Sequence, residues 1–290
     1  MSEYLKLGLL GHPLSHALSP VLQSAALQYS GIAGEYNLFD IKPENLAAEV
    51  KEMLTCGING FNITIPYKQS IYKMVNTLTE DAKQVGAVNT VKVGMNNRLF
   101  GHNTDVIGFK LALSEGLGHS PINSSASALI LGAGGSARAV VIALAQLGIK
   151  QIQIKGRDPK KIPSFISEMN ESLAKNKYDL VINLLDERQA NISELNLIVN
   201  ATPIGLKQEA PPEWLIHLIN RLNDQCFCFD LVYGQNGSAP TFTKLALDKG
   251  LKAIDGLPML VHQARYAFEF WTGIIVPAEV MYTNLQSDKN

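Results

Sequence analysis

The chain has 290 residues, 46% of them apolar and 18% charged, with a formal net charge of −1. Such values describe a soluble globular protein of one or two domains, with no overall basic field for nucleic acid or an anionic membrane. The opening Met1-Ser2-Glu3-Tyr4 lacks the basic-then-apolar layout of a secretory signal, and no apolar run reaches the roughly 18 residues of a spanning helix. A cytoplasmic protein without membrane or nucleic-acid partners is therefore expected. Cys56, Cys226 and Cys228 are too sparse and odd a set for a disulfide framework, and no second pair completes a zinc site.

Residues 5–10 form a short apolar strand. Ser19-Pro20 opens a helix through Ala26, with Ser19 suited to the cap and Pro20 to the first turn. Residues 36–41 read as a second strand, and 44–55 have helical spacing with Leu46, Val50 and Leu54 on one face. Residues 60–65 are a β-rich run that Pro66 stops. Residues 87–93 and 98–101 predict a hairpin through Asn96-Asn97. A helix at 105–113 is followed by a linker rich in Gly, Pro, Asn and Ser. The pattern then changes to strand–helix units: a strand at 128–131, a helix at 136–147, a strand at 151–154, and apolar runs at 180–183, 197–200 and 227–232. In the last run Cys-Phe-Cys-Phe reads as a buried strand. Short β-rich runs separated by helices predict a parallel, doubly wound sheet. A helix at 258–270 is apolar on more than one face.

Gly132-Ala133-Gly134-Gly135-Ser136-Ala137 follows an apolar strand and opens a helix, the context of a dinucleotide-binding turn. Gly132 allows the tight turn, Gly134 lets the backbone approach a pyrophosphate, and Ala137 permits close packing of helix on strand. The helix amino terminus then faces the phosphates. An NAD enzyme usually carries an acidic residue about 20 positions further on, at the end of the second strand. Here the stretch is Lys155-Gly156-Arg157-Asp158-Pro159-Lys160-Lys161. Its four basic side chains suit a 2′-phosphate, and so NADP. The same residues also read as a solvated basic loop, and Asp158 keeps NAD as an alternative.

A dinucleotide turn implies hydride transfer, and hydride transfer to or from an alcohol needs an acid or base for its proton. Lys68, just beyond the strand-ending Pro66, is the candidate, with Asp105 as its partner. Free lysine titrates near ~10.4; desolvation lowers that value and a nearby carboxylate raises it. The two are expected to share and pass one proton. Taken alone, Lys68 also reads as a surface lysine, and Asn103 to Asp105 as a helix cap.

Three segments, Asn62-Ile63-Thr64-Ile65-Pro66-Tyr67-Lys68, Gly101-His102-Asn103-Thr104-Asp105 and the glycine turn, together resemble the shikimate dehydrogenase family, and the resemblance runs almost end to end. It implies an α/β fold of two domains: a substrate-binding catalytic domain at 1–104 plus 257–290, and a Rossmann-type NADP-binding domain at 105–256. It implies reversible reduction of 3-dehydroshikimate to shikimate with NADPH, in the route to chorismate and the aromatic amino acids. Lys68 and Asp105 match the catalytic pair. Thr64, Asn89, Asp105 and Gln263 match groups that hold ring hydroxyls, and Ser19 and Tyr233 match groups that hold the substrate carboxylate. Arg157 and Lys161 match the 2′-phosphate contacts. Thr202 lies in a stretch, Asn200 to Leu206, that resembles the family's loop beside the nicotinamide, and Leu231 and Gly256 match positions near its ring. Singly, Thr64 is also a β-former, Asn89 a turn residue and Tyr233 a strand-end aromatic.

Some positions depart from the family. His16-Ala17-Leu18-Ser19-Pro20 has Ala17 where the family has the first of two serines on the carboxylate. Gln23-Ser24 stands where His-Asn is common, and Gly156 and Asp158 replace the residues flanking the 2′-phosphate arginine. The rivals are a quinate/shikimate dehydrogenase using NAD and an inactive NADP-binding regulator. The histidines, His16 and His102 among them, lack metal-site spacing, and no metal is expected. A monomer or homodimer with a small-molecule substrate is the expected assembly.

Overall fold

The computed structural model describes residues 4–15, 17–156, 158, 160–186, 191–206, 209–234 and 238–287. Two compact units are present, one formed by Met1–Gly108 with Leu260–Asn290, the other by Phe109–Met259. The helices are α1 (Ser19–Ser30), α2 (Leu46–Thr55), α3 (Lys68–Tyr72), α4 (Glu80–Val85), α5 (Asp105–Gly116), α6 (Gly135–Gln146), α7 (Ile162–Lys175), α8 (Glu213–Arg221), α9 (Thr241–Asp248), α10 (Leu257–Thr272) and α11 (Ala278–Ser287). The division between units falls inside α5 and α10.

In the first unit, β1 (Leu5–Gly11), β2 (Gly34–Asp40), β3 (Gly60–Ile63), β4 (Thr77–Leu78), β5 (Thr90–Val93) and β6 (Leu99–His102) form one sheet in the order β2-β1-β3-β5-β6-β4. The sheet is mixed: β1 runs parallel to β2 and β3, β5 is antiparallel to β3 and β6, and β4 is parallel to β6. The β5–β6 hairpin turns through Asn96 and Asn97, with φ of 57° and 56°. Asparagine tolerates that left-handed region better than most residues, which is why this pair marks the turn.

Two local expectations are corrected. Leu18, not Ser19, is the cap of α1, and it makes no side-chain cap bond. Ser19 is the first helical residue and is buried. On α2 the third buried residue is Met53 rather than Leu54. At about 100° per residue Met53 lies within the 46/50 stripe, and Leu54 falls at its edge. One face of the sheet packs Leu10, Phe61 and Ile63 with Val50, Met53 and Ile71. On the other, Trp271 of α10 lies over Gly60, where a Cβ would come within 2.5 Å of the indole. The absence of a side chain at residue 60 therefore seats the tryptophan.

The second unit contains β7 (Ser127–Leu131), β8 (Gln151–Lys155), β9 (Val181–Leu184), β10 (Leu197–Asn200), β11 (Phe227–Asp230) and β12 (Ala253–Ile254). Its order is β12-β11-β10-β7-β8-β9, and every ladder is parallel. The sheet is doubly wound, as the strand–helix alternation predicts. The chain reverses its direction of travel between the neighbours β7 and β10, and such a reversal opens a crevice at the carboxyl ends of the strands. Cys226 and Cys228 lie in the core with Leu129, Leu218 and Phe242.

Candidate active site

In the first unit Lys68 and Asp105 meet. Each begins a helix that follows a strand: α3 after β3, α5 after β6. The strands are separated in the sheet only by β5, so their carboxyl-terminal connections deliver both side chains to one place. Lys68 Nζ lies 2.6 Å from Asp105 Oδ2, with the side chains 12% and 7% exposed. The other oxygen, Asp105 Oδ1, accepts from Asn89 Nδ2 at 2.8 Å. The carboxylate is thus held at both ends, and the lysine is fixed against it. Asn103 Oδ1 accepts from the Asp105 backbone N–H at 3.1 Å, so the helix-start turn and the ion pair coexist. Asn103 Nδ2 in turn donates to the carbonyl of Ala87 at 2.9 Å.

The other substrate-contact candidates of this unit lie on β3, α1 and α10. Thr64 follows β3, and its methyl would be 2.3 Å from a Cβ on Gly11, so that glycine makes room for it. Ser19 lies near Tyr36, whose hydroxyl donates to Asn62 Oδ1 at 2.8 Å. Burial pushes the Tyr36 hydroxyl well above its ordinary value, so it stays protonated and can donate. Gln263 Nε2 donates to Leu260 O at 2.9 Å within α10. Burial holds the His102 imidazole below its usual value. The backbone carbonyl of His102 accepts from the Asn89 N–H at 3.1 Å.

In the second unit the glycine turn joins β7 to α6. Gly132 has φ +113°, and a Cβ there would lie 2.7 Å from the carbonyl oxygen of Ala201, so no other residue fits without moving backbone. A Cβ on Gly134, the cap of α6, would meet nothing within 4 Å. Gly135 and Ser136 open α6, its first turn carries no acidic residue, and Ala137 is wholly buried. A helix start with open space at its cap and no acidic side chain suits a pyrophosphate. The end of β8 adjoins this turn: Gly132 N–H donates to Lys155 O at 2.7 Å, and Gly156 lies against Ile162, with Ala133 4.0 Å from where a Cβ would stand. Lys161 caps α7 and is exposed. Asp158 Oδ1 accepts the Lys160 backbone N–H at 3.0 Å. Arg157 lies outside the described residues. The described residues of the turn and helix start therefore fit the pyrophosphate of a dinucleotide.

At the carboxyl ends of β10 and β11, Asn200 and Asp230 organise the loops bearing Thr202 and Leu231. Asn200 Oδ1 accepts from Thr202 Oγ1 at 2.6 Å, and Asn200 Nδ2 donates to Asp230 Oδ1 at 2.8 Å. Asp230 also accepts from Val232 N–H at 3.0 Å and Thr243 Oγ1 at 3.2 Å. Burial raises its carboxyl to about 7 despite those donors. A Cβ on Gly256 would stand 2.3 Å from Leu231 O, so residue 256 must be glycine for the two segments to meet. Tyr233 follows on the same loop, half-buried.

Tyr36, Asn62, Thr90, Thr104 and Asp230 join these networks without having been assigned a role from the sequence. Asn62 and Thr104 lie inside the quoted motifs, and Asn62 carries a further signal: an amide inside the strand Gly60–Ile63, which is buried throughout, must find partners.

Comparison with known proteins identifies the family. A family model described as the shikimate dehydrogenase substrate binding domain matches residues 9–91, and one described as the shikimate 5′-dehydrogenase C-terminal domain matches 256–286. A shikimate dehydrogenase (NADP(+)) from Crocosphaera subtropica is 41% identical over 95% of this chain and 93% of its own. A shikimate dehydrogenase solved in complex with NADP+ superposes with a TM-score of 0.83 at 34% identity, covering 99% of this chain and 96% of that one. The Thermus thermophilus enzyme solved with shikimate gives 0.80 at 32%, covering 98% and 99%. With similarity of this extent running through both units, the chain belongs to the shikimate dehydrogenase family.

Proposed function

We propose that the protein catalyses the reversible NADPH-dependent reduction of 3-dehydroshikimate to shikimate, in the route to chorismate and the aromatic amino acids. The observation that carries this reading is the buried Lys68–Asp105 pair at 2.6 Å, in a chain similar along its length to NADP-dependent shikimate dehydrogenases. The dinucleotide, when bound, supplies the hydride. Reduction leaves charge on the carbonyl oxygen, and Lys68 Nζ, as an ammonium, gives that oxygen its proton. Asp105 keeps the lysine oriented, and Asn89 prevents the carboxylate from rotating away. In the reverse direction the same pair takes the hydroxyl proton.

Thr64, Asn89, Asp105 and Gln263 hold the ring hydroxyls, and Ser19 and Tyr233 the carboxylate. All of these but Tyr233 belong to the first unit, which is thus the main substrate-binding one. In the second, residues Gly132 to Ala137 receive the pyrophosphate at the start of α6, Arg157 and Lys161 the 2′-phosphate, and Thr202, Leu231 and Gly256 border the nicotinamide. The curated relatives named shikimate dehydrogenase (NADP(+)) and the neighbour solved with NADP+ support NADP over NAD. The sparse, odd set of three cysteines supports a cytoplasmic enzyme, and a monomer or homodimer is the assembly proposed. Among the described residues no helix is long and apolar enough to cross a membrane. Turnover with shikimate and quinate, each against NADP and NAD, tests the reading. Fastest oxidation of shikimate with NADP is expected; preferred use of quinate with NAD, or no turnover, overturns it.

A further inference from the structure

We infer that Tyr36 is a positioning residue for the Lys68–Asp105 pair, acting through a buried hydrogen-bonded chain with a fixed direction of donation. The inference rests on the reading of that pair as the proton-transfer centre. The members are Tyr36, Asn62, Thr90, Asn89 and Asp105, none more than 7% exposed, so water cannot substitute for a missing member.

Backbone groups set the direction. Asn62 faces the carbonyl of Asn89, which can only accept, so Asn62 must turn its Nδ2 there, at 3.3 Å. The same Nδ2 then donates to Thr90 Oγ1 at 3.0 Å. Asn62 Oδ1 is left facing Tyr36 and takes the hydroxyl proton at 2.8 Å. Thr90, having received from Asn62, donates onward to Asn89 Oδ1 at 3.0 Å. The Thr104 backbone N–H donates to that same oxygen at 2.8 Å. Asn89 Oδ1 is thereby fixed as the acceptor, and Asn89 Nδ2 has to point at Asp105 Oδ1, 2.8 Å away. Asp105 Oδ2 remains for Lys68.

The chain crosses the sheet from the edge strand β2 to β3 and β5 and reaches the start of α5. The register places Asn62 opposite Thr90, and Tyr36 level with Leu7 two residues from the Leu9–Asn62 pair. Without the Tyr36 hydroxyl, Asn62 Oδ1 is a buried acceptor lacking its donor. It recovers one only by rotating, which withdraws the donor to Thr90 and loosens Asn89 against Asp105. The ring of Tyr36 packs independently, 6.4 Å from Trp271, so phenylalanine keeps the packing and removes only the chain's first donor.

Tyr36→Phe and Thr90→Val should each lower kcat about 5–20-fold, leaving KM for NADP within about twofold. The double variant should be no slower than the slower single one, because both cut the same chain. Thr90→Ser, which restores the hydroxyl, should return kcat to within about twofold of the original. Unchanged kcat in Tyr36→Phe, or multiplicative losses in the double variant, would overturn the inference. A second readout needs no turnover: hydrogen exchange of the Asn62 and Asn89 side-chain amides by NMR. These protons should exchange at least about tenfold faster in Tyr36→Phe and Thr90→Val, and unaltered exchange would also overturn it. Failure of the original protein to oxidise shikimate would count against the proposed function, while the exchange measurement still decides the chain.

Discussion

Asp230 makes a pH dependence that can be isolated by one substitution. Its carboxyl is buried at the end of β11 and titrates at about 7, against 3.8 for an unperturbed aspartate, mainly because burial penalises the charge. The folded state therefore binds this proton more tightly than the unfolded chain. The stabilisation is fully present below 3.8 and is lost as pH rises through 7. At about 1.36 kcal/mol per tenfold, pH 5 lies two decades below the folded value, so raising the pH from 5 to 8 should remove about 2.7 kcal/mol. Asp230→Asn keeps an oxygen for Asn200 and the Val232 N–H but cannot titrate. Its amide meets Thr243, which costs a constant amount at every pH. The predicted quantity is the change with pH of the stability difference between the two proteins. Trp214 belongs to the second unit and Trp271 to the first, so fluorotryptophan labelling gives one 19F signal for each. Urea unfolding followed on the Trp214 signal at pH 5, 6, 7 and 8 measures the unit that holds Asp230. Parallel curves for the two proteins would refute the reasoning, since Asp230 would then not change its ionisation across that window.

Lys68→Ala should lower kcat by about 10²–10⁴-fold with a smaller effect on KM, and adding Asp105→Asn should cost far less than the product of the single losses. Steady-state kinetics on the four proteins of the cycle decides this, and full multiplicativity argues against a shared proton. Gly132→Ala should destabilise the second unit by about 1–3 kcal/mol and weaken NADP binding, because its backbone is left-handed and its Cβ would collide with Ala201 O; urea unfolding and NADP titration measure the two effects. Replacing Arg157 and Lys161 together by Ala should raise KM for NADP at least about tenfold and leave KM for NAD nearly unchanged. Equal losses with both cofactors would remove the 2′-phosphate assignment. Ala17→Ser should lower KM for shikimate about fivefold, from one added donor to a carboxylate, and should leave KM for its methyl ester unchanged.

Features that depend on neighbouring residues alone could be read from the chain. Gly132-x-Gly134 between an apolar strand and a helix dictates its own turn, because φ of +113° with a carbonyl 2.7 Å from a would-be Cβ admits only glycine. Asn96-Asn97 likewise announces its hairpin, and the alternation of strands and helices after residue 126 announces a doubly wound sheet. The motifs around Lys68 and Asp105 were legible as motifs. Their pairing is expected from the two motifs together, and its geometry comes from the fold: 37 residues separate them, and the order β3-β5-β6 brings the two helix starts together. Tertiary structure also overruled a local preference at Ser19, which has cap chemistry but is buried one position inside the helix. The same holds for Tyr36, Asn62 and Thr90. A tyrosine or threonine suits a strand whether its hydroxyl meets water or a neighbour, and propensity carries no record of which. Burial decides it, because a polar group removed from water must find a partner in the chain, and which partner is within reach depends on strand order and register.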